Sequence, residues 1–175
     1  MEYVHDELIS KFWPGREHIG SKGVKDRRLL ESAVGRPFQT IFGEYAYPTV
    51  VDKASALFHW LVAKHPFHDG NKRTAVTSLH HFMVANGFFG AISNEEAYAL
   101  AKQTASYRER GLPHEQALRE ITDLLNLRTI SFYDLSKLGQ GKAVSRVFFD
   151  EVYAASKRLR RKICRSRLNR INPSA

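Results

Sequence analysis

Apolar residues at Val50, Ala54, Leu57, Phe58 and Leu61 stand at offsets of four, seven, eight and eleven, which is one face of an α-helix, and they predict a core helix over 48–64. A second stripe, Ala75, Val76, Leu79, Phe82 and Met83, lies between Gly70 and Gly87 and predicts a helix over 71–86. Gly87 supplies its stop. The same reading between turn signals gives further helices at about 4–13, 26–34, 93–110 and 113–126. From Gly35 to Tyr47 the helical period breaks while aromatic residues continue, so this segment reads as a short hairpin, with burial of Phe38, Ile41 and Phe42 in the core as the alternative. The expected fold class is all-α with one small β-hairpin.

The two clearest stripes are joined by His65-Pro66-Phe67-His68-Asp69-Gly70-Asn71-Lys72-Arg73. A helix N-terminus leaves its first N–H groups without intrahelical acceptors and carries a positive partial charge, so an open one binds anions. Each loop residue also has a plain reading. A His beside Pro is usually structural, an Asp before Gly is a common turn or cap signal, and Lys72 and Arg73 can simply be solvated. Together they gather a base, a carboxylate, a flexible Gly and two cations at the positive end of a helix, the chemistry of a phosphate site.

Five of the eight His residues, His59, His65, His68, His80 and His81, fall in this region, which raises the question of zinc. The spacing argues against it: there is no His-Glu-x-x-His pattern, and His80 and His81 are adjacent, flanking the buried face of their helix.

With 175 residues and 43% hydrophobic content, the chain suits one domain and an appendage. Cys164 has no partner for an internal disulfide, and Glu2, His5, Asp6 and Glu7 leave no secretory signal at the start, so a reducing cytoplasm is expected. Residues 74–94 lack Lys, Arg, Asp and Glu, but Thr, Ser, Asn, Gly and His interrupt them, and no membrane span is expected.

The net charge of +9 is unevenly placed. Eight basic residues and no acidic ones lie after Glu151, which leaves +1 for the rest of the chain. Phe148, Val152, Ala155, Leu159 and Ile163 recur there at helical offsets and predict a basic amphipathic helix over about 143–168. The chain thus divides into a body at 1–127 and an extension at 128–175. Arg158, Arg160, Arg161, Lys162 and Arg165 are candidate contacts for nucleic acid or an acidic partner, a solvated face being the plain alternative.

The loop His65-x-Phe67-x-Asp69-Gly70-Asn71-Lys72-Arg73 resembles the signature of the Fic/Doc superfamily and specifically its Doc branch. Gly23-Val24-Lys25-Asp26, Leu29-Leu30-Glu31-Ser32-Ala33 and Arg36-Pro37 are similar to the N-terminal portion of Doc-like proteins, so the resemblance covers roughly residues 2–126. Ordinary Fic loops carry a second Gly where Lys72 stands and a second Arg where Val76 stands; both departures are those of the Doc branch.

The resemblance implies a Fic-like helical bundle whose 36–45 segment is a flap that aligns a target polypeptide as an added strand, through Phe38, Gln39, Thr40 and Ile41. It also implies transfer of part of ATP to a hydroxyl side chain of another protein, with Mg²⁺. AMP transfer is the general Fic reaction and γ-phosphoryl transfer the Doc one. A long charged side chain at Lys72 restricts close packing of phosphates, and Val76 cannot grip a γ-phosphate, so a kinase is favoured over an AMP transferase. His65 would accept the acceptor proton and Asp69 hold Mg²⁺. Gly70, Asn71 and Lys72 would give backbone donors, Lys72 and Arg73 positive charge, and Phe67 would anchor the loop.

For the Doc branch the first candidate target is elongation factor Tu, with inhibition of translation as the outcome. The self-inhibitory Ser/Thr-x-x-x-Glu-Gly/Asn motif of some Fic proteins is missing, since Thr40 to Glu44 is followed by Tyr45, and a Phd-like antitoxin is implied instead. The competing class is a basic nucleic-acid-binding protein that keeps the fold without turnover.

Overall fold

The computed structural model describes residues 23–90 and 92–139. The helices expected over 4–13 and 143–168, the latter with Arg158, Arg160, Arg161, Lys162 and Arg165, lie outside the described residues. The described chain runs α1 (Arg27–Gly35), a 3-10 turn (Arg36–Phe38), β1 (Thr40–Ile41), β2 (Glu44–Tyr45), α2 (Val50–Lys64) and α3 (Asn71–Ala85). It continues through β3 (Phe88–Gly90), α4 (Asn94–Ala105), α5 (His114–Arg128), β4 (Thr129–Ser131) and α6 (Phe132–Gly139). This is the helical architecture the periodicity predicts, with two small antiparallel strand pairs.

The bundle is built around α2. Thr49 starts it with a capping box: its Oγ1 accepts from the Asp52 N–H at 3.0 Å, and its own N–H donates to Asp52 Oδ2 at 3.0 Å. From there α1, α3, α4, α5 and the 3-10 turn all pack on the helix. Every residue from Ala54 to Val62 is therefore buried, not only the predicted stripe. Enclosure on all sides takes two polar side chains inside. Ser55 answers by donating to the Val51 carbonyl at 2.8 Å, whereas both ring nitrogens of His59 have no hydrogen-bond partner.

The helix expected over 93–110 stops at Ala105. The Ser106 hydroxyl turns back onto the Lys102 and Gln103 carbonyls, Gly111 takes a left-handed φ of 68°, and Arg110 pairs with Glu120 at 2.9 Å, which holds the turn on α5. Two three-residue strands, too short for any period to show, pair Phe88 with Ser131, Phe89 with Ile130 and Gly90 with Thr129. β4 thus lies just past residue 127 and is joined to β3 in the body.

The segment after the 3-10 turn is a hairpin, with Thr40 opposite Tyr45 and Ile41 opposite Glu44. Its turn residues Phe42 and Gly43 both have positive φ, 49° and 88°, the requirement of the tight turn that matches strand twist. Phe38, Ile41, Phe42 and Tyr45 are exposed, so the alternative that Phe38, Ile41 and Phe42 belong to the core is overturned: Phe38 ends the 3-10 turn, and Ile41 and Phe42 lie on a two-stranded ribbon that leaves most of their surface open to solvent. No helix among the described residues is long and apolar enough to cross a membrane.

Candidate active site

At the C-terminal end of α2 the backbone of His65 enters the left-handed region, φ 47° and ψ 57°. For a non-Gly residue this costs on the order of 1–2 kcal/mol, and such strain persists where the surroundings over-determine it. They do so here. The Pro66 carbonyl accepts two N–H groups, from Lys25 at 2.8 Å and Asp26 at 3.1 Å. Val24 and Phe67 form an antiparallel bridge, and His68 N–H donates to the Gly23 carbonyl at 3.2 Å. Pro66 and Phe67 bury their side chains almost fully, as expected for the loop anchor.

A second clamp comes from α3. Asn71 Oδ1 accepts from Phe67 N–H at 2.9 Å, and Asn71 Nδ2 donates to the Phe67 carbonyl at 2.8 Å. Both ends of the side-chain amide are thereby engaged on the loop itself.

Gly70 opens α3 with φ 73°, and no side chain caps that helix N-terminus. Instead Asp69 Oδ1 accepts the Gly70 N–H at 2.6 Å, holding the carboxylate at the start of the helix. Asp69, Arg73 and His65 are exposed, and Gly70, Asn71 and Lys72 are half-buried. The predicted set from His65 to Arg73 thus sits on one turn from α2 into α3. Val76 is half-buried and packed against the hydrophobic core.

Partial burial of the His65 ring, and after it the positive charges of Lys72 and Lys25, push its pKa below the usual imidazole value. The ring is therefore neutral at pH 7, the state a proton acceptor needs. His59 has a different character. Burial, then His114 and Arg108, lowers its pKa to about 4, and its ring packs among Trp60, Tyr107 and His114 at centroid distances of 5.1, 5.2 and 6.2 Å. It is a core residue. Among the described residues no group of three or more His, Cys, Asp or Glu could hold a metal ion.

The flap residues Phe38, Gln39, Thr40 and Ile41 are exposed on the separate hairpin. Its base is held by the Arg36 guanidinium over the Trp60 ring at 4.5 Å and by Phe38 beside Phe82 at 6.5 Å. Sequence reasoning missed the pinning of the loop by residues 23–26, and with it the position of Lys25. The available signal was Asp26, which caps α1 by accepting from the N–H groups of Arg28 at 2.9 Å and Leu29 at 3.2 Å and so marks an ordered turn.

The strained His65, the double clamp and the uncapped start of α3 all lie inside residues 1–83, the segment that matches the Fic/DOC family model. Over this segment the chain is similar to the Fic/DOC family. It is 46% identical over 68 residues to Toxin Doc of Mycolicibacterium smegmatis, an alignment covering 39% of this chain and 52% of that protein. The chain spans about half the length of the curated relative it matches. No solved structure matches it. The Fic/DOC segment ends at Met83, within α3, so the family match holds the loop and both clamps while α4, α5 and the β3–β4 pair lie beyond it.

Proposed function

We propose that the chain is a Doc-like toxin that transfers the γ-phosphoryl group of ATP to a Ser or Thr hydroxyl of a cytosolic protein. The observation that carries this reading is a neutral His65, held in a strained left-handed conformation beside the uncapped start of α3. In the transfer, the acceptor oxygen forms a bond to the γ-phosphorus, the bond from that phosphorus to the bridging oxygen breaks, and ADP leaves. The acceptor proton passes to the His65 imidazole. Backbone N–H groups at the start of α3, with Lys72 and Arg73, face the charge that develops on the phosphoryl oxygens.

The exposed carboxylate of Asp69 is a hard oxygen donor that suits Mg²⁺, with nucleotide phosphates and water as the remaining ligands. When bound, Mg²⁺ neutralises phosphate charge. Lys72 and the core-packed Val76 favour γ-phosphoryl over AMP transfer, because neither leaves the close, Arg-gripped phosphate path that AMP transfer uses.

The relative's name, Toxin Doc, supports growth inhibition, with elongation factor Tu as the first target to examine and a Phd-like antitoxin as the restraint. The exposed strand edge of the flap supports docking of the target by strand addition. Expression of the full chain in bacteria tests the reading: growth arrest should accompany a new Ser or Thr phosphorylation absent from cells expressing His65→Ala. An AMP adduct at the new site would replace kinase by AMP transferase. Absence of any His65-dependent modification would favour a nucleic-acid-binding role through the basic extension.

A further inference from the structure

The hairpin has little apolar packing to set its direction, since Phe38, Ile41, Phe42 and Tyr45 are all exposed. Two cations hold it instead. On the entry side the Arg36 guanidinium lies over Trp60 of α2 at 4.5 Å and donates to Gln39 Oε1 at 3.3 Å. On the exit side Lys53, in the first turn of α2, donates from Nζ to the Tyr47 carbonyl at 2.6 Å and to the Pro48 carbonyl at 3.0 Å. The same ammonium stands 4.3 Å from the centroid of the Tyr45 ring. Tyr45 is the β2 residue opposite Thr40, and the Ala46 N–H donates to the Gln39 carbonyl at 2.9 Å, so what holds Tyr45 and Tyr47 holds both strands. The helix that carries Lys53 ends at His65, about 18 Å further along its axis.

We propose that Lys53 is a positioning residue for the target polypeptide, fixing the angle at which the flap leaves α2 and hence where a strand added to it lies relative to His65. The inference rests on the reading of the hairpin as the target-docking flap of a transferase. A half-buried lysine that donates to two successive carbonyls of an irregular segment gives them the partners that a regular element would have supplied. Without Lys53 the segment from Tyr45 to Pro48 samples more directions. That freedom is lost again when a target docks, and the cost falls on binding of the target. Once the target is docked, transfer proceeds as before, because the contacts of the nucleotide at the start of α3 do not involve Lys53.

The test compares the full chain with Lys53→Met and Lys53→Arg, following label transfer from γ-labelled ATP to protein over a range of bacterial-extract concentrations, with ATP titration, thermal unfolding and hydrogen exchange alongside. Lys53→Met should need about tenfold more extract for half-maximal transfer, with maximal rate, ATP affinity and unfolding temperature little changed. Its faster hydrogen exchange should be confined to residues 39–46. Lys53→Arg keeps a cation and several donors and should recover most of the loss. Half-maximal transfer at the same extract concentration in Lys53→Met and the unaltered chain would overturn the inference while leaving the transferase reading standing. A joint fall in maximal rate, ATP affinity and unfolding temperature would also overturn it, by making Lys53 a fold-keeping residue. Absence of transfer by the unaltered chain would remove the transferase reading itself and this inference with it.

Discussion

Asn71 closes its side-chain amide on the backbone of Phe67, accepting from the N–H at 2.9 Å and donating to the carbonyl at 2.8 Å. This one pair ties the loop that carries His65 to the helix that would receive the phosphates. Asn71→Asp keeps the shape but replaces the donor by a carboxylate facing a carbonyl. Stability should fall by roughly 1–3 kcal/mol, and turnover should fall about a hundredfold with little change in KM for ATP, since the backbone donors remain. Denaturant unfolding and steady-state kinetics read the two effects separately; unchanged turnover would show that the clamp does not position His65.

The lowered pKa of His65 sets the sign of the pH dependence. Burial, Lys72 and Lys25 favour the neutral ring, so activity should hold from pH 7 down through roughly 6.5 and decline only below that, as the ring becomes protonated. Lys72→Met removes one of the two cations, and the acid limb of its kcat profile should move upward toward the ordinary imidazole value. A downward movement contradicts the assigned cause.

His59 should make the fold acid-sensitive. Its imidazole titrates at about 4 in the folded chain, against roughly 6.5 when unfolded. Below 6.5 the unfolded state binds the proton first, so stability is lost as pH falls from 6.5 toward 4, by roughly 3 kcal/mol in all. His59→Phe fills the same ring-lined space without a titrating group, and its stability should be flatter over that pH range. Identical pH profiles for the two proteins would show that His59 is not the group responsible.

The hairpin offers a test of docking that leaves the bundle alone. Phe42 is fully exposed and sits at a left-handed φ of 49°, a position that Asn occupies more readily. Phe42→Asn should leave stability unchanged or raise it by up to about 1 kcal/mol, while modification of the protein target declines and ATP binding is unaffected. Loss of stability would instead mark Phe42 as a packed residue.

The helices and the loop were legible in the sequence because both are local: the stripes at Val50–Leu61 and Ala75–Met83 repeat every three or four residues, and His65 to Arg73 are contiguous. What was hidden is long-range or very short. The bridge from Val24 to Phe67 joins segments far apart in the chain, and the β3–β4 ladder has only three residues a side. His59 escaped for another reason, since a stripe reveals one buried face and α2 is covered on all of them. Asn71 was visible as a site residue, but its side chain turns inward to Phe67, a matter of rotamer that no spacing reports.

The central claim, His65-dependent γ-phosphoryl transfer, is tested most directly by incubating the purified chain and its His65→Ala variant with bacterial extract and ATP labelled at the γ or the α position. Protein-bound label from γ-labelled ATP alone, absent with His65→Ala, is the predicted result. Label arriving from the α position, or from the γ position equally well with His65→Ala, would contradict it.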